Sequence, residues 1–345
     1  MFQFFFNQEI PSSKAAKKTD NYKLNRYNAP MSRILVTGST AYDLLLNSDG
    51  SFADGISDQD LDSLSVAFLA QRFARHHGGT GANIAWNLML LNQDQLFVST
   101  IGNDGGEYLA LLKERGVDTD HLEILDDHLT ATAIVSTDSG ERQITFFHPG
   151  ADQHGSWPDL SQNWDEIDLA IVSPRDTTLM VEAVNWCQEF KVPYFFDPGQ
   201  MVISFGPDAL GRAIEGSRGL VVNEYEWGLV KDKLGCTEEN IQMLTPLLIV
   251  TRGEAGVTVF DESGGITVSA CTPDKIINPT GAGDAFRAGL LTGLKNEWSV
   301  EESVQLGAAM GSFAVEQEGT LMDSLDIDQV RLRAEKAYRK ALPGL

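Results

Sequence analysis

The chain has 345 residues, of which 42% are hydrophobic and 22% charged, a composition typical of a soluble globular protein with a sizeable core. Its net charge of −23 argues against a broad nucleic-acid-binding face, which would be basic, although a small anion can still bind at a local positive site. The sequence has no apolar run near the roughly 18 residues of a membrane span, and its three scattered cysteines indicate the reduced thiols of a cytoplasmic protein.

Residues 1–30 differ in composition from the rest of the chain. They contain five of the 26 basic residues and only two of the 49 acidic ones. Their opening phenylalanine cluster lacks the preceding positive charges of a signal peptide, and Met31 directly precedes a strand-like run. We therefore expect residues 1–30 to form a disordered extension rather than a targeting arm, and residues 31–345 to form the folded domain.

From Arg33 onward, compact apolar runs of strand length alternate with amphipathic helical patterns. The predicted strands cover residues 33–38, 96–102, 169–173, 193–198, 219–223 and 246–253. The predicted helices cover residues 82–91, 104–116 and 176–190. Continuous apolar strands separated by helices are typical of an α/β fold with a mostly parallel central sheet and helices on both faces.

Two regions break this alternation. Residues 40–68 and 131–148 contain alternating apolar and polar positions, and the second is expected to fold about Asp138-Ser139-Gly140 as a hairpin. We expect these regions to pair in a small β-sheet lid apart from the main sheet, with lid segments at about 40–68 and 125–150.

The first candidate site is residues 277–289, "INPTGAGDAFRAG". A Gly-Ala-Gly turn opens a helix there, where backbone N–H groups and the helix dipole favour an anion. The turn is neither a dinucleotide-binding fingerprint nor a Walker A loop. The alternative interpretation is a plain helix N-terminus at which Asp284 interacts favourably with the dipole.

Three further stretches allow two interpretations each. "GGTGAN" (78–83) is either a polyol-binding turn or a tight strand-to-helix connection. "NEYE" (223–226) offers an amide and a carboxylate that suit the water shell of Mg²⁺, or else a capping Asn. "TRGEAG" (251–256) suits a triphosphate or a hairpin turn. His76 and His77 have no Cys or carboxylate cluster beside them, so we do not expect them to bind a metal.

Together, and in this order, these stretches resemble the ribokinase-like, or phosphofructokinase B-type, family of carbohydrate and nucleoside kinases, and the match covers nearly all of residues 31–345. Within that family, "VTGSTAYD" (36–43), "FFHPGA" (146–151) and "DPGQ" (197–200) look most like bacterial adenosine kinases. The resemblance implies an α/β body with a β lid, phosphoryl transfer to a hydroxymethyl group, and the cofactors ATP and Mg²⁺. A monovalent cation such as K⁺ is a further candidate cofactor.

The resemblance also implies a role for each matching residue. Asp284 would be the catalytic base, and the backbone of Gly281, Ala282 and Gly283 would form the anion hole. The acceptor would be bound at its ribose hydroxyls and its base by Asp43, Ser39, Gly79, Asn83, Phe147 and Gln200. The ATP phosphates and a Mg²⁺ held through water would be served by Asn223 and Glu226, and the rest of the ATP site would be lined by Thr251, Gly253 and Gly256.

The chain departs from the family pattern at two places. Asn278-Pro279 stands where the family usually has Asp-Thr, so a charge is lost before the turn. The lid segment 130–133, "TATA", offers no second aromatic residue to sandwich an adenine.

The resemblance implies an ATP-dependent kinase that phosphorylates the 5′-hydroxymethyl group of adenosine, giving AMP and ADP. The alternatives are a sugar kinase acting on ribose, fructose or a related sugar, and a catalytically silent nucleoside- or sugar-binding regulator. A sugar-phosphate substrate would need a basic anchor near the lid, for which Arg142 is the obvious candidate. The sequence leaves the oligomeric state open: the exposed edge of the lid sheet can pair between two subunits of a homodimer, or it can be covered in another way.

Overall fold

The computed structural model describes residues 32–56 and 66–344, so the predicted extension 1–30 and part of the predicted lid segment 40–68 lie outside the described residues. In chain order the strands are β1 (Arg33–Thr37), β2 (Ala41–Asn47), β3 (Arg72–Gly78), β4 (Gln95–Gly102), β5 (His121–Leu125), β6 (Ala131–Thr137), β7 (Gln143–His148), β8 (Ile167–Val172), β9 (Tyr194–Phe196), β10 (Gly219–Asn223), β11 (Leu248–Thr251), β12 (Val257–Asp261) and β13 (Gly264–Val268). The α-helices are α1 (Phe52–Ile56), α2 (Thr80–Leu90), α3 (Gly106–Arg115), α4 (Thr177–Phe190), α5 (Pro207–Ile214), α6 (Glu224–Leu234), α7 (Ala282–Lys295), α8 (Val300–Ala314) and α9 (Ile327–Tyr338).

The larger sheet has the strand order β13-β12-β11-β10-β9-β8-β1-β4-β5. Its neighbours are parallel from β5 to β11, while β12 and β13 are antiparallel. The chain builds outward from β1 to β5 on one side and from β8 to β13 on the other, so the strand order reverses between β1 and β8. Such a reversal opens a crevice at the carboxyl ends of the strands, which is where open α/β sheets bind ligands.

Alternate residues of the central strands pack on opposite faces of this sheet. Ile34 and Val36 of β1 belong to one hydrophobic cluster, and Leu35 between them belongs to another. The first cluster includes residues of α2, α3, α7, α8 and α9, and the second includes residues of α4, α5 and α6. Helices therefore cover both faces, which explains the continuous apolar runs and confirms the predicted α/β architecture.

Local caps define the helix ends. Asp176 accepts a hydrogen bond from the backbone N–H of Thr178 and so begins α4, as predicted. Gly116 follows α3 with a φ of 91°, the left-handed conformation expected of a glycine at a helix C-terminus. No helix within the described ranges is long and apolar enough to cross a membrane.

The smaller sheet has the order β3-β2-β6-β7, in which β2 and β6 are parallel and the other pairs antiparallel. The predicted hairpin about Asp138-Ser139-Gly140 is confirmed: β6 and β7 pair as far as Thr137 and Gln143, and Asp138 Oδ1 accepts a hydrogen bond from Gly140 N at 2.8 Å. Strand β3 lies outside the predicted segment 40–68. Its sequence, "RFARHHG", places a basic or histidine side chain on each face, so it lacks the alternation that marks a half-buried strand.

Candidate active site

A cavity of about 270 Å³ lies at the carboxyl end of the larger sheet, beside the reversal of strand order. It is lined by the segments that follow β8, β9, β10 and β11 and by the first turns of α2 and α7: Thr80, Pro174, Gly199, Gln200, Asn223, Glu226, Thr251, Gly283, Asp284 and Arg287. Six of these residues were predicted to form the site. A larger cavity of about 370 Å³ lies between α4 and α5 on the outside of the molecule, and its lining contains none of the predicted residues.

The Gly-Ala-Gly turn forms the N-terminus of α7. Gly281 is the N-cap and has a φ of 87°, a left-handed conformation that favours glycine. Ala282 and Gly283 are the first helical residues, where backbone N–H groups lack an acceptor within the helix. The turn therefore presents several N–H donors at the positive end of a helix dipole, which is an arrangement that binds anions.

Asn278 also has a place in this turn. Its side-chain Oδ1 accepts a hydrogen bond from Thr280 N at 2.9 Å. An aspartate at this position can make the same contact, because both side chains offer an oxygen to a backbone N–H two residues ahead. The substitution of the family's charged residue thus retains the turn and removes one negative charge beside it.

Asp284 lies at the end of a short hydrogen-bond chain. Asn83 Nδ2 donates to Asp284 Oδ2 at 2.7 Å, and Thr320 Oγ1 donates to Asn83 Oδ1 at 2.9 Å. Burial raises the pKa of Asp284 to about 7, against the opposing effects of the Arg287 charge and the Asn83 hydrogen bond. A carboxylate with a pKa near neutrality is matched to the uptake of a proton from a substrate hydroxyl.

Asn83 was predicted to help bind the substrate hydroxyls, and the structure adds a contact that was not predicted. The residue is 3% exposed, and its amide group is hydrogen-bonded to Asp284 and Thr320. The amide group thus orients the carboxylate of Asp284 directly.

Asp43 approaches the site from lid strand β2. A Cβ built on Gly78 would lie 2.4 Å from Asp43 Oδ2, so the carboxylate packs against bare backbone. Burial raises the pKa of Asp43 to about 6, opposed by the charge of His76. The charge of Asp43 in turn contributes to raising the pKa of Asp284, which shows that the two carboxylates are electrostatically coupled.

Ser39 and Gly79 form the junction beside Asp43. Gly79 has a φ of 95°, and a Cβ there would lie 2.5 Å from the carbonyl oxygen of Ser39, so only glycine fits without displacing the backbone. Ser39 Oγ accepts a hydrogen bond from Thr80 N at 3.3 Å. The first glycine-rich stretch is thus a tight strand-to-helix connection, which was one of its two interpretations, and it also brings Thr80 to the cavity.

Phe147 and Gln200 lie on the lid and the body, respectively. Asp43 pairs with Ala133, and Ala133 pairs with Phe147, so the three side chains lie on the same face of the lid sheet. Phe147 is 49% exposed and is therefore available to a ligand. Gln200, in the 3₁₀ turn after β9, lines the cavity from the body.

Asn223 and Glu226 form a capping box at the start of α6. Asn223 Oδ1 accepts from Glu226 N at 2.8 Å, and Glu226 Oε2 accepts from Asn223 N at 2.8 Å. The cap was one interpretation of this stretch, and both residues also line the cavity. Burial raises the pKa of Glu226, opposed by the charge of Arg287. The described residues contain no group of three or more His, Cys, Asp or Glu that could hold a metal ion, so a Mg²⁺ here would depend on phosphate oxygens and water.

The stretch "TRGEAG" (251–256) forms a turn between two antiparallel strands. Thr251 of β11 pairs with Val257 of β12, and Gly253 and Gly256 between them have φ values of 54° and 89°. A Cβ on Gly256 would lie 2.2 Å from Val268 O. The hairpin interpretation therefore holds for these glycines, while Thr251 also lines the cavity.

Arg287 was not predicted as a site residue. Its Nη2 donates to Asp197 Oδ1 at 2.5 Å, and the two side chains are 8% and 0% exposed. A signal was available in the sequence, because Arg287 is the only charged residue between Asp284 and Lys295 in a helix whose intervening positions are small or apolar apart from Thr292. All residues from 285 to 294 are buried, so this arginine requires an internal partner.

Comparisons with known proteins identify the family of this chain. A family model described as pfkB family carbohydrate kinase matches residues 31–327. The nucleoside kinase of Methanothermobacter thermautotrophicus is 28% identical over 313 residues, which cover 88% of this chain and 97% of that protein. The guanosine-inosine kinase of Exiguobacterium acetylicum is 26% identical over 268 residues, which cover 72% of this chain and 88% of its own.

A solved structure of a nucleoside kinase has a similar fold. Burkholderia thailandensis nucleoside kinase in complex with inosine superposes with a TM-score of 0.79 at 33% identity, covering 90% of this chain and 100% of that chain. The larger sheet and the separate lid sheet are thus those of a ribokinase-like fold. The chain belongs to the pfkB family of carbohydrate kinases.

Proposed function

We propose that this protein is an ATP-dependent nucleoside kinase that phosphorylates the 5′-hydroxymethyl group of adenosine, producing AMP and ADP. The observation that carries the proposal is the position of Asp284 at the N-terminus of α7. An anion-binding turn precedes it, and its carboxylate is coupled to Asp43 on the lid. We therefore infer that Asp284 is a proton acceptor between a phosphate site at the α7 turn and a hydroxyl-binding site at Asp43.

The acceptor side suits a ribose. Asp43 is an oxygen acceptor on the inner face of the lid and can receive hydrogen bonds from two neighbouring hydroxyls. Phe147 lies on the same face and offers a flat apolar surface to a base, while Gln200 offers both a donor and an acceptor from the body. A polar carboxylate and an exposed aromatic ring on one surface favour a nucleoside over a free sugar.

The donor side suits a triphosphate. The N–H groups at 281–283 would bind phosphate oxygens, and Thr251 would line the nucleotide's path at the end of β11. Asn223 and Glu226 would hold Mg²⁺ through its water ligands, in keeping with oxygen-rich surroundings, and the ion would neutralise phosphate charge when bound.

The reaction needs one proton transfer and one displacement. Asp284 accepts the proton of the 5′-hydroxyl as the new O–P bond forms, and the bond from the γ-phosphorus to the bridging oxygen of ATP breaks to release ADP. The N–H groups of the turn stabilise charge on the transferred group, an effect of about 3 kcal/mol where single donors have been removed from comparable sites. Closure of the lid over the cavity would exclude water and so limit hydrolysis of ATP.

The identity of the purine base is the part of the proposed nucleoside substrate that the site restricts least. Named relatives act on guanosine and inosine or bind inosine, so several purine nucleosides are candidate substrates beside adenosine. A sugar kinase is the second candidate, since the matching family model is one of carbohydrate kinases. A catalytically silent binding protein is disfavoured because the chain retains Asp284 as a proton acceptor and the Gly281-Ala282-Gly283 turn.

The decisive experiment is a phosphorylation panel with ATP and Mg²⁺ against adenosine, inosine, guanosine, ribose, fructose and fructose phosphates, with and without KCl. We expect the highest kcat/KM for adenosine and a 5′-monophosphate as the product. Activity with inosine or guanosine but not adenosine would overturn the choice of base. Activity with sugars alone would overturn the assignment as a nucleoside kinase. The absence of turnover with every acceptor would overturn the proposal that the protein is a kinase.

A further inference from the structure

Arg287 is the only residue that brings a positive charge to the lining of the cavity within the described part of the chain. It lies one helical turn after Asp284, on the same side of α7. Its Nη1 lies against the anion-binding turn, because a Cβ built on Gly283 would be only 2.8 Å from that atom. The guanidinium and the N–H groups of the turn thus face a common space.

The guanidinium has only part of its hydrogen-bonding capacity satisfied. Nη2 donates to Asp197 Oδ1, whereas Nε is buried and has no hydrogen-bond partner among the described residues. Arg175, which is also buried, donates from all three of its nitrogens, to Asp152, Thr37 and Thr100 among others. Buried polar groups are normally paired, so a buried arginine that is incompletely paired beside a cavity indicates a missing ligand.

The charges around the cavity point to the same ligand. Asp197 contacts Arg287, and the carboxylates of Asp284 and Glu226 also stabilise its charge. Without the arginine, a triphosphate would meet the carboxylates of Asp284 and Glu226 in the cavity lining and be repelled. The arginine is therefore in position to offset these charges where the phosphoryl group must pass.

We propose that Arg287 is a further catalytic residue whose guanidinium contacts the phosphoryl group during its transfer, and that Asp197 is the positioning residue that holds it. The inference rests on the proposed kinase function and deepens it. A guanidinium has five N–H donors in a planar fork, so one edge can remain on Asp197 while the other binds phosphate oxygens. The short contact with Asp197 fixes the orientation of this fork before the nucleotide arrives.

The test compares the affinities for ATP and ADP by calorimetry with MgCl₂ present, alongside kcat. Only ATP carries the group that Arg287 is proposed to contact. We expect Arg287→Met to lower kcat on the order of 10²–10³-fold and to weaken ATP binding much more than ADP binding. Arg287→Lys should give intermediate effects, because an ammonium group keeps the charge but cannot hold Asp197 and a phosphate in the same plane.

Arg175→Lys is the matched control, since it makes the same exchange in a buried arginine–aspartate pair outside the cavity lining. It should lower the unfolding temperature and leave the ratio of ATP to ADP affinity unchanged. If Arg287→Met does not fold, Arg287→Lys and Asp197→Asn take its place, with Asp197→Asn expected to lower kcat while ADP affinity stays constant.

Two results separate the inference from the function on which it rests. A wild-type protein that turns over ATP, together with Arg287 variants that lose ATP and ADP affinity equally or keep their kcat, would reduce the pair of Arg287 and Asp197 to a structural ion pair. A wild-type protein that binds neither nucleotide would instead overturn the kinase proposal itself.

Discussion

The carboxyl group of Asp284 is subject to opposing influences. Burial raises its pKa, while the positive charge of Arg287 and the hydrogen bond from Asn83 lower it, and the balance is a pKa of about 7. The ionised form is therefore available near neutral pH, yet it remains basic enough to accept a proton. This balance links the catalytic rate and the stability of the protein to the same group.

Replacement of Asp284 by Asn should abolish most of the turnover and leave the fold intact. We expect a loss in kcat of about 10²–10⁴-fold, the usual contribution of a general base, with nucleoside and ATP still bound in calorimetry. Because the native pKa is raised from 3.8 to about 7, ionised Asp284 lowers the free energy of unfolding progressively from about pH 4 to pH 7. Asp284→Asn should therefore unfold at a higher temperature than the wild type at pH 8. Near-normal turnover would contradict the assigned role.

The pH dependence of kcat/KM tests the same carboxyl group without removing it. We expect an acidic limb with a midpoint near pH 7, since Asp284 must be deprotonated to act. Asn83→Ala removes a donor that favours the ionised form, so the midpoint should move to higher pH. A midpoint that stays in place in this variant would show that another group governs the limb.

Six of the ten residues that line the cavity were predicted, because glycine-rich turns and strand ends are visible in the sequence. The pairing of Arg287 with Asp197 could not be predicted, because the two residues are 90 positions apart and meet only when α7 packs against the end of β9. The contact of Asn83 with Asp284 was missed for the same reason, since it bridges 201 positions.

Helix α6 begins with a stabilising cap at the cavity. Its capping box uses two residues that also line the cavity. Helix α8 has the same kind of capping box at Ser299 and Glu302, which are outside the cavity lining. The chain thus contains an internal control for the effect of a lost helix cap.

Asn223→Ala and Ser299→Ala should each lower the free energy of unfolding by about 1 kcal/mol, the usual value of such a cap. Only Asn223→Ala should also raise the KM for ATP and the Mg²⁺ concentration needed for half-maximal rate. Chemical denaturation and initial rates on both variants check this. Equal kinetic effects in the two variants would mean that Asn223 acts only as a cap.

The lid sheet provides a second matched pair, because neighbouring residues of β7 lie on opposite faces. Phe147 shares the face of Asp43, whereas Phe146 lies on the other face and is 67% exposed. Phe147→Ala should raise the KM for a nucleoside about tenfold, since stacking on a base is worth about 1–3 kcal/mol. Phe146→Ala should leave this KM unchanged. Steady-state kinetics with adenosine distinguish the two variants, and equal values would remove Phe147 from the base site.

The strands of the main sheet that escaped prediction share a physical cause. Strands β5, β12 and β13 lie at or near the sheet edges and mix buried positions with half-buried or exposed ones, so they lack the continuous apolar runs that marked the central strands. Edge strands are recognised by their pairing, which is a property of the folded chain.

On the scale of the whole molecule, the outer face of the lid is unusually apolar for a chain of net charge −23. Phe73, Ile134 and Phe146 are 64%, 37% and 67% exposed on that face, with Leu44 and Leu46 between them. Exposed apolar patches of this kind are typical of interaction surfaces. We propose that a second copy of this chain covers the patch in a symmetric homodimer.

Phe146→Glu combined with Phe73→Glu should then convert the dimer to a monomer in sedimentation velocity, because it would place like charges across the symmetric contact. The double variant should keep its unfolding temperature when the protein is compared at low, monomeric concentration. A wild-type protein that sediments as a monomer at micromolar concentration would contradict the proposal.

The first lid segment leaves and rejoins the body at almost the same point. A Cβ on Gly38 would lie 2.8 Å from the Cα of Gly81, and Ala82 N donates to Ser39 O at 3.1 Å. The intervening segment, which contains Asp43, is therefore an insertion whose ends meet, and insertions with adjoining ends can be exchanged with little effect on the host domain. We therefore expect an exchange of residues 39–80 to alter the part of the proposed acceptor site that Asp43 forms, while Phe147, Gln200 and the α7 turn stay in place.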